Sequence, residues 1–178
     1  MIAVVLRHAE VDFAWSRSCT SGGFDLDCSG YDSAPIRETA YNIPRTGYEK
    51  IYISELSRSR DTADRLFPDG EFIRSGLINE VPLRSCFDTK MKLPLWFWNL
   101  NGRLQWFINS QRQAEGRRQT EERARQFITM ISKENSDCVV VTHGFFMHTF
   151  LREMKKAGFR IDNSSVKYKN GEYVIAEK

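Results

Sequence analysis

The sequence lacks the features that mark membrane proteins, zinc proteins and disulfide-rich proteins. No apolar run approaches the roughly 20 residues that a membrane-spanning helix needs, and the first predicted strand follows Met1 with no targeting segment before it. Cysteine is scarce, and the four thiols form no Cys-x-x-Cys pair and no cluster with the three histidines: Cys19, Cys28, Cys86 and Cys138. We therefore expect no zinc site, no disulfide framework and no membrane partner, and we expect reduced thiols in a soluble, cytoplasmic protein.

A strong excess of one charge is also missing. The 26 Lys and Arg residues against 23 Asp and Glu residues give a net charge of +3 at pH 7. This mild excess favours anionic small molecules and lacks the strong basic field of a nucleic-acid-binding protein, so we expect no nucleic-acid partner. With 178 residues, of which 41% are hydrophobic, the chain is predicted to form one domain over residues 1–178.

Strand and helix patterns alternate along the chain, which favours an α/β fold with a mainly parallel central sheet flanked by helices. Apolar, β-branched runs predict strands at residues 2–6, 47–54, 71–73 and 138–142. Helices are predicted at residues 55–67 with Ser54 as N-cap, 93–108 as one helix or as two that break at Asn101-Gly102, 120–132 and 145–157. Asn170-Gly171 predicts a type I′ turn, so the chain is expected to end in a hairpin between residues 165–168 and 172–176.

Residues 11–42 are rich in Ser, Gly and Asp, and they predict a long irregular loop with at most one short helix after Pro35. Residues 16–33 of this loop are either a lid over a site or a disordered segment, and the sequence does not separate the two. Farther along the chain, helical spacing favours packing against the sheet for most members of an aromatic group: Trp96, Phe97, Trp98, Trp106 and Phe107.

Two of the predicted strands end in a histidine. Residues 2–6 lead into Arg7-His8, and residues 138–142 lead into His143-Gly144. Ligands gather at the carboxyl ends of strands in open α/β sheets, so the two imidazoles share one edge if these strands are neighbours. Arginines, histidines and helix N-termini that converge on one point suit a tetrahedral dianion. The pattern therefore predicts a phosphoryl-transfer site.

Such a site needs a nucleophile and a further cation. A neutral His8 can attack phosphorus through one ring nitrogen while the other nitrogen donates to a backbone carbonyl. Arg58 or Arg60, on the helix after the second strand, would add a guanidinium to that of Arg7.

The leaving oxygen also needs a proton. Glu80 is the best candidate for this acid, because Pro82 keeps the preceding residue extended and so places the carboxyl group on a loop. Glu10 is the second candidate.

Four ordered segments of the chain resemble the signatures of the histidine phosphatase superfamily, in its phosphoglycerate mutase-like branch. They are Leu-Arg-His-Ala-Glu at residues 6–10, Ser-Glu-Leu-Ser-Arg-Ser-Arg-Asp-Thr-Ala at 54–63, Asn-Glu-Val-Pro-Leu at 79–83 and Val-Val-Thr-His-Gly at 140–144. Together they span most of the chain, and four signatures in the right order are more specific than any one alone.

The resemblance implies a role for each matched residue. His8 becomes a phosphohistidine, Glu80 acts as proton donor and then as base for water, and no metal or other cofactor is needed. Phosphoryl oxygens are bound by the remaining residues of the predicted site, with Arg58 preferred over Arg60 because it takes the arginine place of the family pattern: Arg7, Arg58, His143 and Gly144.

The chain also departs from this family pattern. Ala9 stands where the family usually has glycine, and alanine fits there only if its φ stays negative. The glycine and the Trp-Glu-Gly run that follow the acidic residue in mutases are missing after Glu80. We therefore expect a metal-independent phosphatase acting on a phosphorylated small molecule, a phosphomonoester, and not a mutase.

Two other functions stay open. One is a phosphatase for phosphohistidine or another phosphorylated protein side chain, which a shallow, open site would favour over a site roofed by residues 11–33 and 86–117. The other is a non-catalytic phosphate-binding module of the same fold. Elsewhere, His148 is expected to have a structural or surface role, and the arginines between residues 112 and 125 alternate with acidic residues, as on a solvated helix face.

Overall fold

The strands and helices alternate as the sequence predicts in the computed structural model, which describes residues 1–38, 40–41, 43–44, 47–161 and 167–178. The strands are β1 (Ile2–Arg7), β2 (Ser18–Cys19), β3 (Lys50–Ile53), β4 (Phe72–Arg74), β5 (Leu93–Pro94), β6 (Cys138–Thr142), β7 (Arg160–Ile161) and β8 (Tyr173–Glu177). The helices are α1 (Ser21–Ser33), α2 (Ser57–Leu66), α3 (Leu95–Phe107), α4 (Arg117–Glu134) and α5 (Gly144–Lys156), and Gly76–Ile78 forms a 3₁₀ turn.

A six-stranded sheet forms the centre, in the order β4-β3-β6-β1-β8-β7. The first four of these strands are parallel, while β8 runs antiparallel to β1 and β7 runs antiparallel to β8. β2 and β5 form a separate two-stranded sheet. The expected single α/β domain with a mainly parallel sheet is therefore confirmed.

The central strands are apolar on both faces because helices cover both sides of the sheet. In β1, Ala3 and Val5 pack on the side that carries Phe127 and Phe150, which belong to α4 and α5. Val4 and Leu6 pack on the opposite side, which carries Ala63 of α2. This alternation explains why the β1 and β6 sequences are continuous apolar runs.

The helix predictions hold in position, with one correction. Helix α2 begins at Ser57 with Leu56 in the N-cap position, so the expected N-cap role of Ser54 is wrong. The hydroxyl of Ser54 is hydrogen-bonded elsewhere, to His143. Helix α3 is continuous through Asn101 and Gly102. A Cβ at position 102 would lie 2.5 Å from Cδ1 of Leu83, so this glycine permits close packing and does not break the helix.

The prediction of an irregular loop over residues 11–42 is wrong, because residues 21–33 form α1. The hydroxyl of Thr20 accepts a hydrogen bond from the Gly23 amide and caps the helix. Phe24 is fully buried and stacks on Trp98 of α3, with ring centroids 5.8 Å apart. Ile36 forms an antiparallel bridge with Val11 in place of the short helix expected after Pro35; residues 39 and 42 of that segment lie outside the described residues.

The aromatic group on α3 divides between the core and the surface. Trp98 and Trp106 are buried, and Phe97 is half-buried. Trp96 and Phe107 are exposed, so the core role predicted for most of the group applies to the other three residues.

The chain ends in a hairpin, but not in the predicted one. β8 pairs with β7, with Arg160 opposite Glu177. Of the predicted partner strand, residues 165–166 lie outside the described residues, and residues 167–168 are not in a strand. Gly171 has a φ of +76°, whereas Asn170 is not among the residues with positive φ, so the turn is not type I′. The Asn170 amide donates hydrogen bonds to the carbonyl oxygens of His8 and Ala9, which fixes this segment beside β1.

Across the described parts of the chain, no helix combines the length and the apolar character needed to cross a membrane.

Candidate active site

The two predicted histidines lie side by side because their strands are neighbours. β1 and β6 are parallel, and Arg7 pairs with Thr142, so each strand ends one residue before a histidine. The rings of His8 and His143 have their centroids 5.0 Å apart. Both residues are buried, at 1% and 0% exposure. The condition for a shared phosphate site, that these two strand ends meet, is therefore satisfied.

The ring of His8 is held in one tautomer. Nδ1 donates a 2.6 Å hydrogen bond to the carbonyl oxygen of Ala9, because a carbonyl can only accept. Nε2 therefore carries the lone pair when the ring is neutral. Burial, and next the charge of Arg58, lowers the pKa of His8 to about 3, so the ring is neutral at physiological pH. The backbone of Ala9 has no positive φ, as this position requires.

The ring of His143 is bonded at both nitrogens. Nε of Arg58 donates to Nδ1 at 3.2 Å, and Nε2 therefore carries the hydrogen and donates to Oγ of Ser54 at 2.7 Å. Burial is the main cause that lowers the pKa of His143 well below its ordinary value, followed by the neighbouring His8 and Arg58. In this arrangement a direct bond from His143 to a phosphoryl oxygen requires one of these two contacts to break.

Arg7 lies against Gly144, the first residue of α5. A Cβ at position 144 would lie 2.8 Å from both Cζ and Nε of Arg7, so glycine makes room for the guanidinium. One Nη of Arg7 donates to the Tyr168 carbonyl, while its Nε is buried without a partner among the described residues. Gly171 donates its amide to the Arg7 carbonyl, so the segment before β8 holds this strand end.

Arg58 is at the site and Arg60 is not. Arg58 is fully buried, and its Nη1 donates a 2.8 Å hydrogen bond to Asp32 of α1. Its Cζ lies 5.1 Å from the centroid of the Tyr31 ring, and its Nη2 is buried without a partner in the described chain. Arg60 is exposed and pairs with Asp64 on the surface of α2.

Glu80 lies on irregular backbone, as predicted, at the N-terminus of α5. Its Oε1 accepts from the amides of Val81 and Phe146, both at 2.9 Å, and its Oε2 accepts from the Phe145 amide at 3.3 Å. These bonds place the carboxylate where a helix N-terminus favours negative charge. Glu10 instead forms a surface ion pair with Arg37.

A cavity of about 900 Å³ opens beside Arg58 and Glu80. Its walls come from α1 and α3, from the segment after the 3₁₀ turn, and from the side chains of Glu115 and Arg123. His8 is buried and does not line this cavity. Of residues 16–33, predicted to be a lid or a disordered segment, residues 21–33 form α1, which lines this cavity. Arg123 and Glu115 do not lie on the solvated face predicted for them. They form an ion pair at 2.8 Å, and each side chain is at most 15% exposed.

Sequence reasoning missed the contribution of α1, which supplies Tyr31 and Asp32 to Arg58. The signal was present in the spacing of Phe24, Cys28 and Tyr31, which share one helical face, but the many Ser, Gly and Asp residues between them hid it. The role of Ser54 as partner of His143 had no local signal, since it depends on strand order. His148 is exposed, and its ring lies 3.7 Å from that of Tyr168, centroid to centroid.

In the described ranges, no group of three or more His, Cys, Asp or Glu side chains is placed to hold a metal ion. The four cysteines are free thiols.

Comparison with known structures gives relatives of the same fold. An alpha-ribazole phosphatase from Shigella flexneri has a TM-score of 0.57 at 15% identity, covering 98% of this chain and 89% of that one. A phosphoserine phosphatase mutant from Entamoeba histolytica, in complex with phosphoserine, has a TM-score of 0.52 at 17% identity, with 98% and 94% covered. A mycobacterial glucosyl-3-phosphoglycerate phosphatase has a TM-score of 0.56 at 17% identity, with 87% and 79% covered.

A search of curated proteins finds no match to this chain. The family model described as the histidine phosphatase superfamily, branch 1, matches residues 3–175. This match covers nearly the whole chain, including every residue of the predicted site. The chain therefore belongs to branch 1 of the histidine phosphatase superfamily.

Proposed function

We propose that this protein is a metal-independent phosphatase that hydrolyses a phosphomonoester through a phosphohistidine on His8. The observation that carries the proposal is a pair of buried arginine N–H groups beside the two histidines, Nε of Arg7 and Nη2 of Arg58, that have no partner in the described residues. Buried donors without acceptors are costly, and a phosphoryl group would supply the missing oxygens. Phosphatase relatives of the same fold support this assignment.

The first step forms the bond from Nε2 of His8 to phosphorus and breaks the bond from phosphorus to the ester oxygen. The guanidinium groups of Arg7 and Arg58 offset the charge on the equatorial oxygens. The negative charge of the bound phosphoryl group favours protonation of the Glu80 carboxylate against the three amides, and Glu80 gives this proton to the leaving oxygen. The carboxylate then takes a proton from water, whose oxygen attacks the phosphohistidine and restores the neutral ring.

A small phosphorylated molecule suits the cavity better than a protein side chain. Tyr31 and Asp32 of α1 and Arg103 of α3 form walls around the space beside Arg58 and Glu80. Because His8 is only 1% exposed, its approach to phosphorus requires side chains at the cavity floor to move. The relative solved with phosphoserine supports a small substrate as well.

The test uses an aryl phosphate in the presence of EDTA, with wild-type protein and the His8→Ala variant side by side. We expect turnover by the wild type, none by the variant, and an acid-labile, base-stable phosphoryl group on His8 after rapid quenching. Activity that needs added metal, or that survives in His8→Ala, would overturn the mechanism. Binding of phosphate with no turnover by the wild type would instead support the non-catalytic module.

A further inference from the structure

The cavity contains charged side chains that mostly neutralise one another. Its lining includes equal numbers of acidic and basic residues: Asp25, Asp32, Glu80, Glu115, Arg58, Arg84, Arg103 and Arg123. Arg58 pairs with Asp32, and Arg123 pairs with Glu115, each at 2.8 Å. Arg103 and Arg84 form no ion pair within the described residues. Arg84 is exposed to solvent, so Arg103 is the cavity guanidinium whose charge is both partly removed from water and unpaired.

Arg103 is held in place by neutral groups. Its Nη1 donates to the carbonyl oxygen of Val81 at 3.2 Å, and its Cζ lies 3.7 Å from the centroid of the Phe145 ring. Burial lowers the pKa of this guanidinium, and the charge of Glu80 opposes that effect. A half-buried cation fixed by a carbonyl and an aromatic ring still lacks a direct ion-pair partner among the described residues, and an anionic ligand in the cavity would provide one.

Arg103 lies on the side of the cavity where Glu80 would protonate the leaving group, and not on the side of the phosphoryl group. Glu80 and Arg103 both contact Val81 and Phe145: the carboxylate accepts their amide hydrogens, while the guanidinium takes the Val81 carbonyl and the Phe145 ring. If Glu80 protonates the leaving oxygen, the side chain beside it faces the carbon skeleton that this oxygen carries.

We propose that Arg103 binds a carboxylate on the leaving group, so that the substrates are phosphomonoesters of hydroxy acids. This inference rests on the proposed function. The planar guanidinium can present two parallel N–H groups to the two carboxylate oxygens, and the Phe145 ring keeps that plane fixed. The substrate's phosphoryl group lies toward Arg7 and Arg58, and its carboxylate lies toward Arg103.

The test compares esters that differ only in the carboxylate: O-phosphoserine against O-phosphoethanolamine, and 3-phosphoglycerate against glycerol 3-phosphate. The Arg103→Met variant keeps an apolar stem against Phe145 and removes the charge. We expect it to lose about 10- to 100-fold in kcat/KM for the carboxylate esters, the size expected for a charge-assisted pair, and less than about threefold for the others. Arg118→Met is the matched control, because Arg118 is exposed and lies outside the cavity. It is expected to leave kcat/KM unchanged for both kinds of ester.

Two results would overturn the inference. An unchanged preference for the carboxylate esters in Arg103→Met would show that Arg103 does not contact the carboxylate. An equal loss on both members of each pair would show that Arg103 acts through Glu80, as a positioning residue.

Binding measurements without catalysis test the Arg103 contact separately from the proposed phosphohistidine mechanism. Affinities of O-phosphoserine and O-phosphoethanolamine are measured by calorimetry on His8→Ala and on His8→Ala/Arg103→Met, where no turnover is involved. Loss of the carboxylate preference only in the double variant supports the Arg103 contact even if His8 is never phosphorylated. The same preference in both variants overturns it even if the aryl phosphate is hydrolysed through His8.

Discussion

Asp32 of α1 accepts a 2.8 Å hydrogen bond from Nη1 of Arg58, so a buried arginine of the proposed phosphate site is already paired with a carboxylate that is itself half exposed. This carboxylate competes with a phosphoryl group for the guanidinium and repels its charge. We expect Asp32→Asn, which keeps an acceptor oxygen but removes the charge, to tighten competitive inhibition by inorganic phosphate about three- to tenfold.

Asp64→Asn is the matched control for Asp32, because Asp64 pairs with Arg60 on the exposed side of α2. This variant is expected to leave the inhibition constant unchanged. Weaker phosphate inhibition in Asp32→Asn would contradict the competition and would make Asp32 a residue that positions Arg58.

Glu80→Gln is expected to distinguish substrates by their leaving groups. An alkyl oxygen needs a proton as it leaves, whereas a phenolate with a low pKa does not, so we expect a loss of about 100-fold in kcat for alkyl phosphates and much less for aryl phosphates. Steady-state rates on both classes provide the measurement. Equal slowing would move the proton donor to another residue, with Glu10 or Asp12 next; both now pair with Arg37 at the surface.

His8 contributes to the pH dependence of stability, in the same direction as His143. Folding lowers the pKa of this ring from 6.5 to about 3, mainly through burial, so between these values the unfolded chain binds a proton that the folded chain does not. The free energy of unfolding therefore rises with pH across this window, and the contribution is lost as the pH falls below 6.5. At pH 5 the loss in the free energy of unfolding amounts to about 2 kcal/mol.

Urea unfolding at pH 7 and pH 5 measures this effect. We expect the difference between the two pH values to be smaller in His8→Gln by about 2 kcal/mol. His148→Gln, which removes an exposed ring, is expected to keep most of the difference. Identical pH dependence in wild type and His8→Gln would show that His8 already titrates normally in the folded protein.

Gly144→Ala is expected to weaken substrate binding more than it weakens the fold. The new Cβ would lie 2.8 Å from Cζ of Arg7, and the flexible guanidinium is the group that moves. We expect KM for an aryl phosphate to rise about tenfold, while unfolding free energy changes by less than about 1 kcal/mol because alanine favours the helix. Gly22→Ala in α1, where a Cβ meets open space, is the control and leaves KM unchanged. An unchanged KM in Gly144→Ala would mean that Arg7 tolerates the shift.

The sequence predicts best the parts that depend on long apolar runs. β1 and β6 are continuous apolar segments, and the residues that follow them, His8 and His143, meet because parallel neighbours end at one edge. Glu80 was correctly expected on a loop because Pro82 restricts the backbone before it.

The parts that sequence reasoning missed depend on tertiary contacts. α1 contains several residues that favour turns, and the stacking of Phe24 on Trp98 helps to hold it as a helix. Asn170-Gly171 has the composition of a tight hairpin turn, but the amide of Asn170 is instead bonded to the carbonyls of His8 and Ala9. In both cases a distant partner outweighs the local preference.

The placement of β1 between β6 and β8 has a consequence for the order of folding. Ala3 pairs with Cys138 on one side and with Ala176 on the other, so β1 is completed only by strands that lie far from it along the chain. Non-local pairing of this kind slows folding, and until it occurs the apolar side chains of β1 stay exposed to water. The strand that leads into the proposed nucleophile therefore depends on distant segments for its place in the sheet.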